Sequence, residues 1–461
     1  MSELIHQFIS IQAQRKPEAT ALKHKDLEFS YAELEQQVVN AAQGLRGLGL
    51  QTGDRVATYL PKLPEMVFTV FGASAAGGVF VPINPLLKPA QVAYILQNCN
   101  VRILVTSSQR LTQLAEVLLE CPELAVCAVV EDDIPELAHC RQQLQSWREL
   151  TDQTESAVPT GAGSVRRIDA DMAAILYTSG STGSPKGVVL SHRNLVIGAK
   201  SVASYLHNTP EDCILAVLPF SFDAGLSQLT TAFHSGASVV LMDYLLPRDV
   251  IRAVVKYGIT GLGAVPPLWN QLADLEWPRA AARSMRYITN TGGAMPTTTT
   301  SKLRAALPGT LVYLMYGLTE AFRSTYLPPE QVAIRPESMG KAIPNAEVQV
   351  VRSDGTECEP GEPGELVHRG SLVAMGYWND PETTAQRFKP APGQPAELPL
   401  TEIAVWSGDE VKKDAEGYLY FVSRMDEMIK SSGYRVSATE VEEVLYASGL
   451  VKAVAALGLP P

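Results

Sequence analysis

Apolar runs of strand length recur along this chain, at Val56 to Leu60, Val101 to Val105, Ala125 to Val130, Ala173 to Tyr177 and Ser238 to Met242. Between them lie stretches of helical period such as Tyr31 to Gly47. Strands that alternate with helices form sheets whose faces those helices cover, so the pattern restricts the chain to an α/β architecture. With 461 residues the chain is too long for one core, and its length predicts about two to four packed units. The polar, small-residue segment Thr151 to Gly163 reads as a surface linker between two α/β halves or as a long loop inside one domain. From Val348 the texture changes to short alternating strands punctuated by Asp354-Gly355, Pro360-Gly361 and Pro363-Gly364. Ile343 to Ser423 is therefore expected to form a small β-rich subdomain. A helix-leaning segment is expected after Arg424, whereas Thr297 to Thr300 and the Pro-rich Pro390 to Pro399 read as loops.

Composition narrows the function. Hydrophobic residues make up 46% and charged residues 19%, the balance of a chain that packs into a globule. A net charge of -11 leaves no broad basic field for nucleic acid or an anionic membrane, so any phosphate site must be local and the ligand small. The six cysteines are scattered without a C-x-x-C pair, and the opening MSELIHQFIS lacks the basic and apolar regions of a signal peptide. Both features predict a reducing cytoplasm. No apolar run approaches the roughly 18 residues of a membrane span; the nearest, Met66 to Pro85, is interrupted by Gly72, Gly77 and Gly78.

The strand-like Ala173 to Tyr177 runs directly into Thr178-Ser179-Gly180-Ser181-Thr182-Gly183-Ser184-Pro185-Lys186-Gly187, and strand-like Val188 to Leu190 follows. Glycines let backbone N–H groups turn toward one anion, the hydroxyls of Ser179, Ser181 and Thr182 add donors, and Lys186 supplies charge, a set suited to a triphosphate. The Walker motif does not fit, because Pro185 stands where it needs Gly before Lys and a strand follows instead of a helix. A flexible Gly/Ser linker is the structural alternative, but linkers are not bounded by two strands. Ser191 is a plausible N-cap for a helix carrying Leu195, Val202 and Leu206 on a core-facing side.

The run YTSGSTGSPKGV, taken with Tyr316-Gly317-Leu318-Thr319-Glu320, Trp406-Ser407-Gly408-Asp409 and Ser423-Arg424-Met425-Asp426-Glu427, resembles the adenylate-forming (AMP-binding) superfamily of acyl-CoA synthetases, amino-acid adenylation domains and luciferases. Within it, LPFSFDAGLSQLTTAF, NTGGAMP, YGLTEAFRSTYLPPE and AVWSGDEV look most like the AMP-forming acyl-CoA ligases associated with the exosortase A system. The resemblance implies a large N-terminal domain over residues 1–425, made of α/β subdomains at about 1–160 and 170–340 and a β-rich one at 343–423. A hinge and incomplete α+β C-terminal lid would occupy 426–461.

The same resemblance implies roles. Thr178, Ser179, Gly180, Ser181, Thr182, Gly183 and Lys186 would cradle the phosphates of ATP. Tyr316 would stack on adenine beside the backbone of Gly292, Gly293 and Gly317, Thr319 would bind a phosphate, and Asp409 with Arg424 would hold the ribose, although Asp409 alone could be a turn residue. Glu320 resembles the Mg²⁺ ligand, since a lone carboxylate near polyphosphate is useful by holding the neutralising cation. Lys186, Thr319 and Glu320 would then screen the approach of a carboxylate to the α-phosphorus without a general base. Of the histidines, His192 and His234 lie nearest the motifs in sequence and are expected to be structural. Asp426 matches the hinge, and Gly433 and Arg435 the lid segment near the pantetheine tunnel. The chain stops at Pro461, ahead of the lysine that such lids carry near their end, so slow adenylation is expected of it.

Substrate residues follow by alignment with the family. Many acyl-CoA synthetases place a histidine where this chain has Asp223 after Phe222, whereas amino-acid-activating relatives place an aspartate that binds the substrate ammonium. Thr291, Met315, Arg323 and Ser324 would line the rest of the pocket. Either Asp223 reads an amine and Arg323 a second polar group, or the two pair with each other and an ordinary acyl chain lies past them. The acceptor would be coenzyme A or the phosphopantetheine of an acyl or peptidyl carrier protein. A nucleotide-binding scaffold without activity and a luciferase-like oxidative enzyme are the alternatives.

Overall fold

The computed structural model describes residues 3–137, 140–152, 165–178, 185–395, 397–424, 429–431, 434–436, 441–442, 445, 451 and 454–456. The chain divides into two compact units, Met1–Asp243 with Ala374–Pro381, and Tyr244–Val373 with Glu382–Pro461.

The first unit carries strands β1 (Thr20–His24), β2 (Leu27–Ser30), β3 (Arg55–Tyr59), β4 (Val79–Pro82), β5 (Val101–Thr106), β6 (Val126–Val129), β7 (Gln143–Ser146), β8 (Met172–Thr178), β9 (Lys186–Ser191), β10 (Cys213–Ala216) and β11 (Ser238–Leu241). A sheet runs β7-β6-β5-β3-β4-β8-β9. Its pairs are parallel until β8 and β9 meet antiparallel. A second ladder runs β10-β11-β1-β2 and is parallel except for the β1–β2 hairpin. The strand-length apolar runs are therefore buried strands, as parallel sheets covered on both faces require. Ala57, Val79, Val81, Val101, Leu104, Cys127 and Ile175 all belong to one core cluster. The helix expected over Tyr31 to Gly47 forms over those residues, its Ser30 cap accepting from Glu33 N–H. The helix His192–Leu206 is likewise capped by Ser191, whose Oγ accepts from Asn194 N–H at 3.2 Å.

The subdomain boundary differs from the expected one. β8 and β9, assigned by sequence to the second α/β half, extend the sheet of the first half. Polarity of the segment before them marks a surface excursion, which carries no information on sheet membership; residues 153–163 of that segment lie outside the described residues.

The second unit carries β12 (Gly261–Ala264), β13 (Tyr287–Asn290), β14 (Leu311–Tyr316), β15 (Thr325–Leu327), β16 (Ser338–Ala342), β17 (Ala346–Val351), β18 (Gly364–Gly370), β19 (Phe388–Pro390), β20 (Ile403–Lys413) and β21 (Leu419–Arg424). Strands β12 to β14 are parallel, and from β15 onward the pairing is antiparallel in the order β14-β15-β16-β21-β20-β18-β17, with β19 on β20. The β-rich texture read from Ile343 onward is thus real. One part of it lies elsewhere: Ala374–Pro381 belongs to the first unit. There Val189 N–H donates to Gly376 O and Met375 N–H to Val189 O, each at 2.9 Å, and Trp378 N–H donates to Gly187 O at 2.7 Å.

Two local expectations are corrected. Thr297–Ala306 is a helix, not a loop. Its threonines are poor helix formers, but Thr299, Thr300 and Leu303 are buried and Thr299 donates to Asn270 Oδ1 at 2.7 Å, so packing overrides propensity. After Arg424 the described residues begin with a hairpin, β22 (Ile429–Ser431) against β23 (Tyr434–Val436), before any helical turn. Among the described residues no helix is long and apolar enough to cross a membrane.

Two histidines, His192 and His368, are buried, and a third, His6, is half-buried, all in the neutral form. Desolvation lowers His6 to about 4 and His192 and His368 to about 3. Each folded value lies below the roughly 6.5 of an unfolded histidine, so their contribution to stability is complete above that pH and is lost as pH falls toward the folded values. Each group can cost up to roughly 1.4 kcal/mol per pH unit in that window. Urea midpoints should therefore drop between pH 7 and pH 5; a flat profile would contradict the neutral burial.

Candidate functional site

In the first unit the phosphate-loop reading rests on β8 and β9. Thr178 and Lys186 face each other as the last paired positions of this antiparallel pair. Ser179, Gly180, Ser181, Thr182 and Gly183 lie outside the described residues. Lys186 Nζ sits over the Tyr377 ring, 5.8 Å from its centroid, a contact that holds the ammonium while leaving its donors for an anion. Tyr377 was not foreseen. It is bridged to Val188 across the 375–378 segment, and only its distant aromatic pair, Tyr377-Trp378, hinted at it.

The same unit presents Phe222 and Asp223 where the helix Asp223–Ser235 begins. Phe222 is 40% exposed and Asp223 half-buried in the first turn, where the helix dipole favours a carboxylate. This start is possible because of Gly225: a Cβ there would lie 1.9 Å from Pro219 O. His192 is buried and His234 half-buried. Ile5 N–H donates to His192 Nδ1 at 3.5 Å, and the His234 ring meets Phe8 edge-on at 5.4 Å.

In the second unit the pairing of β20 with β21 sets Asp409 directly opposite Arg424. Arg424 Nε lies 3.4 Å from Asp409 Oδ1, and the Tyr316 hydroxyl, from the end of β14, donates to Asp409 Oδ2. Burial and the adjacent carboxylate push the Tyr316 phenol far above its ordinary range, so it stays a donor. Behind the Tyr316 ring lies His368 of β18, stacked at 6.0 Å with planes 18° apart. Both His368 ring nitrogens are buried without a hydrogen-bond partner among the described residues. Reasoning from sequence missed His368, although a histidine inside the apolar strand GELVHRG was the available signal.

Gly292 and Gly293 follow β13. Gly292 takes φ +75, a left-handed conformation that favours glycine, and Asn290 Nδ2 donates to Gly293 O at 2.9 Å, fixing the turn. Gly317 closes β14, with Arg323 Cα 3.1 Å from where its Cβ would be. Thr319 and Glu320 form a one-turn 3₁₀ helix, Thr319–Ala321, in which Thr319 is buried. Mg²⁺ keeps several waters and takes one or two carboxylates with substrate phosphates. Among the described residues no three His, Cys, Asp or Glu side chains gather into a metal cage. Glu320 alone fits such a partly hydrated ion.

Thr291, Met315 and Arg323 come together: Arg323 Nη1 donates to Thr291 Oγ1 at 3.0 Å and to Met315 Sδ at 3.6 Å. Ser324, next in the chain, is buried and its N–H donates to Tyr316 O at 3.2 Å. Asp426 and Gly433 lie outside the described residues; the backbone of Arg435 pairs with Lys430 in the terminal hairpin. The sequence motifs thus fall into clusters within each unit, Thr178 with Lys186 in the first, and Tyr316, Asp409 and Arg424 beside Thr291, Met315 and Arg323 in the second.

The Tyr316–Asp409 bond is testable by a double-mutant cycle. Tyr316→Phe and Asp409→Asn should each weaken ATP binding, with a coupling of about 1 kcal/mol or more measured by calorimetry. Effects that simply add would separate the two residues energetically.

A model of the family described as AMP-binding enzyme matches residues 9–378. A linear gramicidin synthase from Brevibacillus parabrevis is 29% identical over 96% of this chain, which spans 8% of that protein. Feruloyl-CoA synthase from Amycolatopsis sp is 29% identical over 97% of this chain and 84% of its own length. Among solved structures, o-succinylbenzoate CoA synthetase (MenE) from Bacillus subtilis with ATP and magnesium superposes with a TM-score of 0.79 at 26% identity, covering 96% of this chain and 85% of that one. VinN in complex with L-aspartate gives 0.75 at 27% identity, over 91% and 98% of the two chains. The narrower likeness to exosortase-associated ligases is carried by the sequence stretches alone. With the family model covering most of its length, the chain belongs to the AMP-binding enzyme family, which includes AMP-forming acyl-CoA synthetases and amino-acid adenylation domains.

Proposed function

We propose that this protein is an AMP-forming acid–thiol ligase. A substrate carboxylate attacks the α-phosphorus of ATP, forming the acyl-adenylate and expelling pyrophosphate; a thiol then attacks the acyl carbon, forming a thioester and releasing AMP. The observation that carries the reading is the joining of Tyr316, Asp409 and Arg424, from three strands, into one bonded cluster. In this reading the Tyr316 ring carries adenine, the Asp409 carboxylate accepts from ribose hydroxyls, and Arg424 fixes that carboxylate. Lys186 and the Thr319 hydroxyl donate to phosphate oxygens where charge grows in the transition state. Bound at Glu320, Mg²⁺ would neutralise phosphate charge. Coenzyme A and a carrier-protein phosphopantetheine are the two acceptors that suit the thiol step. Six free cysteines fit a reducing cytoplasm.

For the acid, we read Asp223 as the receptor of a substrate ammonium group. A half-buried Asp223 carboxylate beside the exposed ring of Phe222 suits a substrate whose ammonium group pairs with that carboxylate. VinN, a relative of similar fold, was solved with L-aspartate, which supports an amino acid. The test is pyrophosphate exchange with amino acids and fatty acids: Asp223→Ala should abolish an amino-acid preference, and an intact fatty-acid preference in both proteins would refute the amine reading.

Lys186→Ala and Glu320→Ala should each weaken Mg²⁺·ATP binding or turnover. Hydrogen bonds to charged groups are worth about 1.5–3 kcal/mol, which corresponds to roughly 10- to 100-fold. Near-unchanged nucleotide binding and turnover in both variants would overturn the site assignment.

A further inference from the structure

Arg323 is 5% exposed and carries a permanent positive charge. Its hydrogen bonds go to the Thr291 hydroxyl and the Met315 thioether, both neutral and both on Nη1. Within its unit no carboxylate pairs with it among the described residues. Nε is buried and without a partner, and so is the Oγ of the adjacent Ser324. A buried guanidinium neutralised by nothing is costly, and a buried donor left unmade adds its own desolvation penalty. The chain bends sharply to put it there: Phe322, fully buried, takes φ +56 and ψ -73, a strained conformation of the kind that proteins keep where function requires it.

The bonding pattern identifies the missing partner. Anchored through Nη1, the guanidinium keeps its Nε–Nη2 edge, two parallel N–H donors whose spacing matches the two oxygens of a carboxylate. The geometry points to a second carboxylate on the substrate, held side-on by Arg323 with the Ser324 hydroxyl as a further donor: the acid activated here is a dicarboxylic one. This rests on the assignment of Thr291, Met315 and Arg323 to the acyl pocket. Thr291 adjoins Gly292, and Ser324 is bonded to Tyr316 O, so this cation is tied to the segments assigned to adenine. A hydrophobic acid would leave Nε and Ser324 Oγ unpaired, and a pocket with such orphaned groups rejects the ligand that lacks their partner.

The test is calorimetric binding of stable acyl-sulfamate mimics of the adenylate, which needs no turnover. Mimics of malonate, succinate and glutarate are compared with those of their half-amides and of butyrate. At least one diacid should bind roughly 10- to 100-fold more tightly than its half-amide, and Arg323→Met should erase that ratio while Arg323→Lys keeps only part of it. Wild-type protein that binds every diacid no better than its half-amide overturns the inference without any variant having to fold. A ratio unchanged in Arg323→Met overturns Arg323 as its reader. If the ratio is absent but Arg323→Met alters half-amide or butyrate binding, the pocket assignment stands and only the second carboxylate fails. If Arg323→Met alters no mimic, the pocket assignment fails.

Discussion

Backbone pairing between residues 187–189 and 375–378 governs where the charge of the first unit sits. Three hydrogen bonds of 2.7–2.9 Å join segments nearly two hundred positions apart in the chain. On one side they fix β9 at its first residues, so Lys186 has a defined root; on the other they carry Tyr377 to the place where its ring meets the lysine ammonium. Trp378 extends the anchor by donating from Nε1 to Asn98 O at 3.0 Å. Buried backbone groups must be paired, and this pairing is made at the root of the one lysine that the loop motif supplies.

The second unit solves a different problem, the placement of charged and polar groups inside a sheet. Asp409 and Arg424 are register partners on neighbouring strands, so one hydrogen-bonded ladder positions both. Tyr316 completes the set from β14, and its ring is backed by a histidine that burial keeps neutral. A protonated His368 at this place would set a charge beneath the Tyr316 ring. Neutrality lets the two rings act as one flat apolar surface.

Much of this was legible in the residues. Apolar runs gave the strands to within a residue or two, and Ser30 and Ser191 marked the helix starts. Motif order pointed to Tyr316, Asp409 and Arg424 as one site, and the pairing of β20 with β21 made that concrete. Other features depended on tertiary contacts that no local pattern encodes. The helix at Thr297 exists because its threonines are buried. Strands β8 and β9 join the first sheet because parallel pairing between β4 and β8 is long-range. His368 and Tyr377 were missed because each acts through a partner distant in sequence, Tyr316 in one case and Lys186 in the other.

The two kinds of recognition are built from different material. Tyr316, Asp409 and Arg424 stand on strands, where a shift of one residue would turn Asp409 to the opposite face and break the cluster. Arg323 stands on a turn after β14, held by the strained Phe322 and by a single hydroxyl and thioether. Loops of this kind tolerate change without unmaking the sheet. A family can therefore keep its nucleotide chemistry constant while the turn after Glu320 is rewritten for one acid or another. In this chain that turn holds a buried cation whose hydrogen-bond partners are both neutral, and the energetic demand of that charge is what calls for an anionic partner.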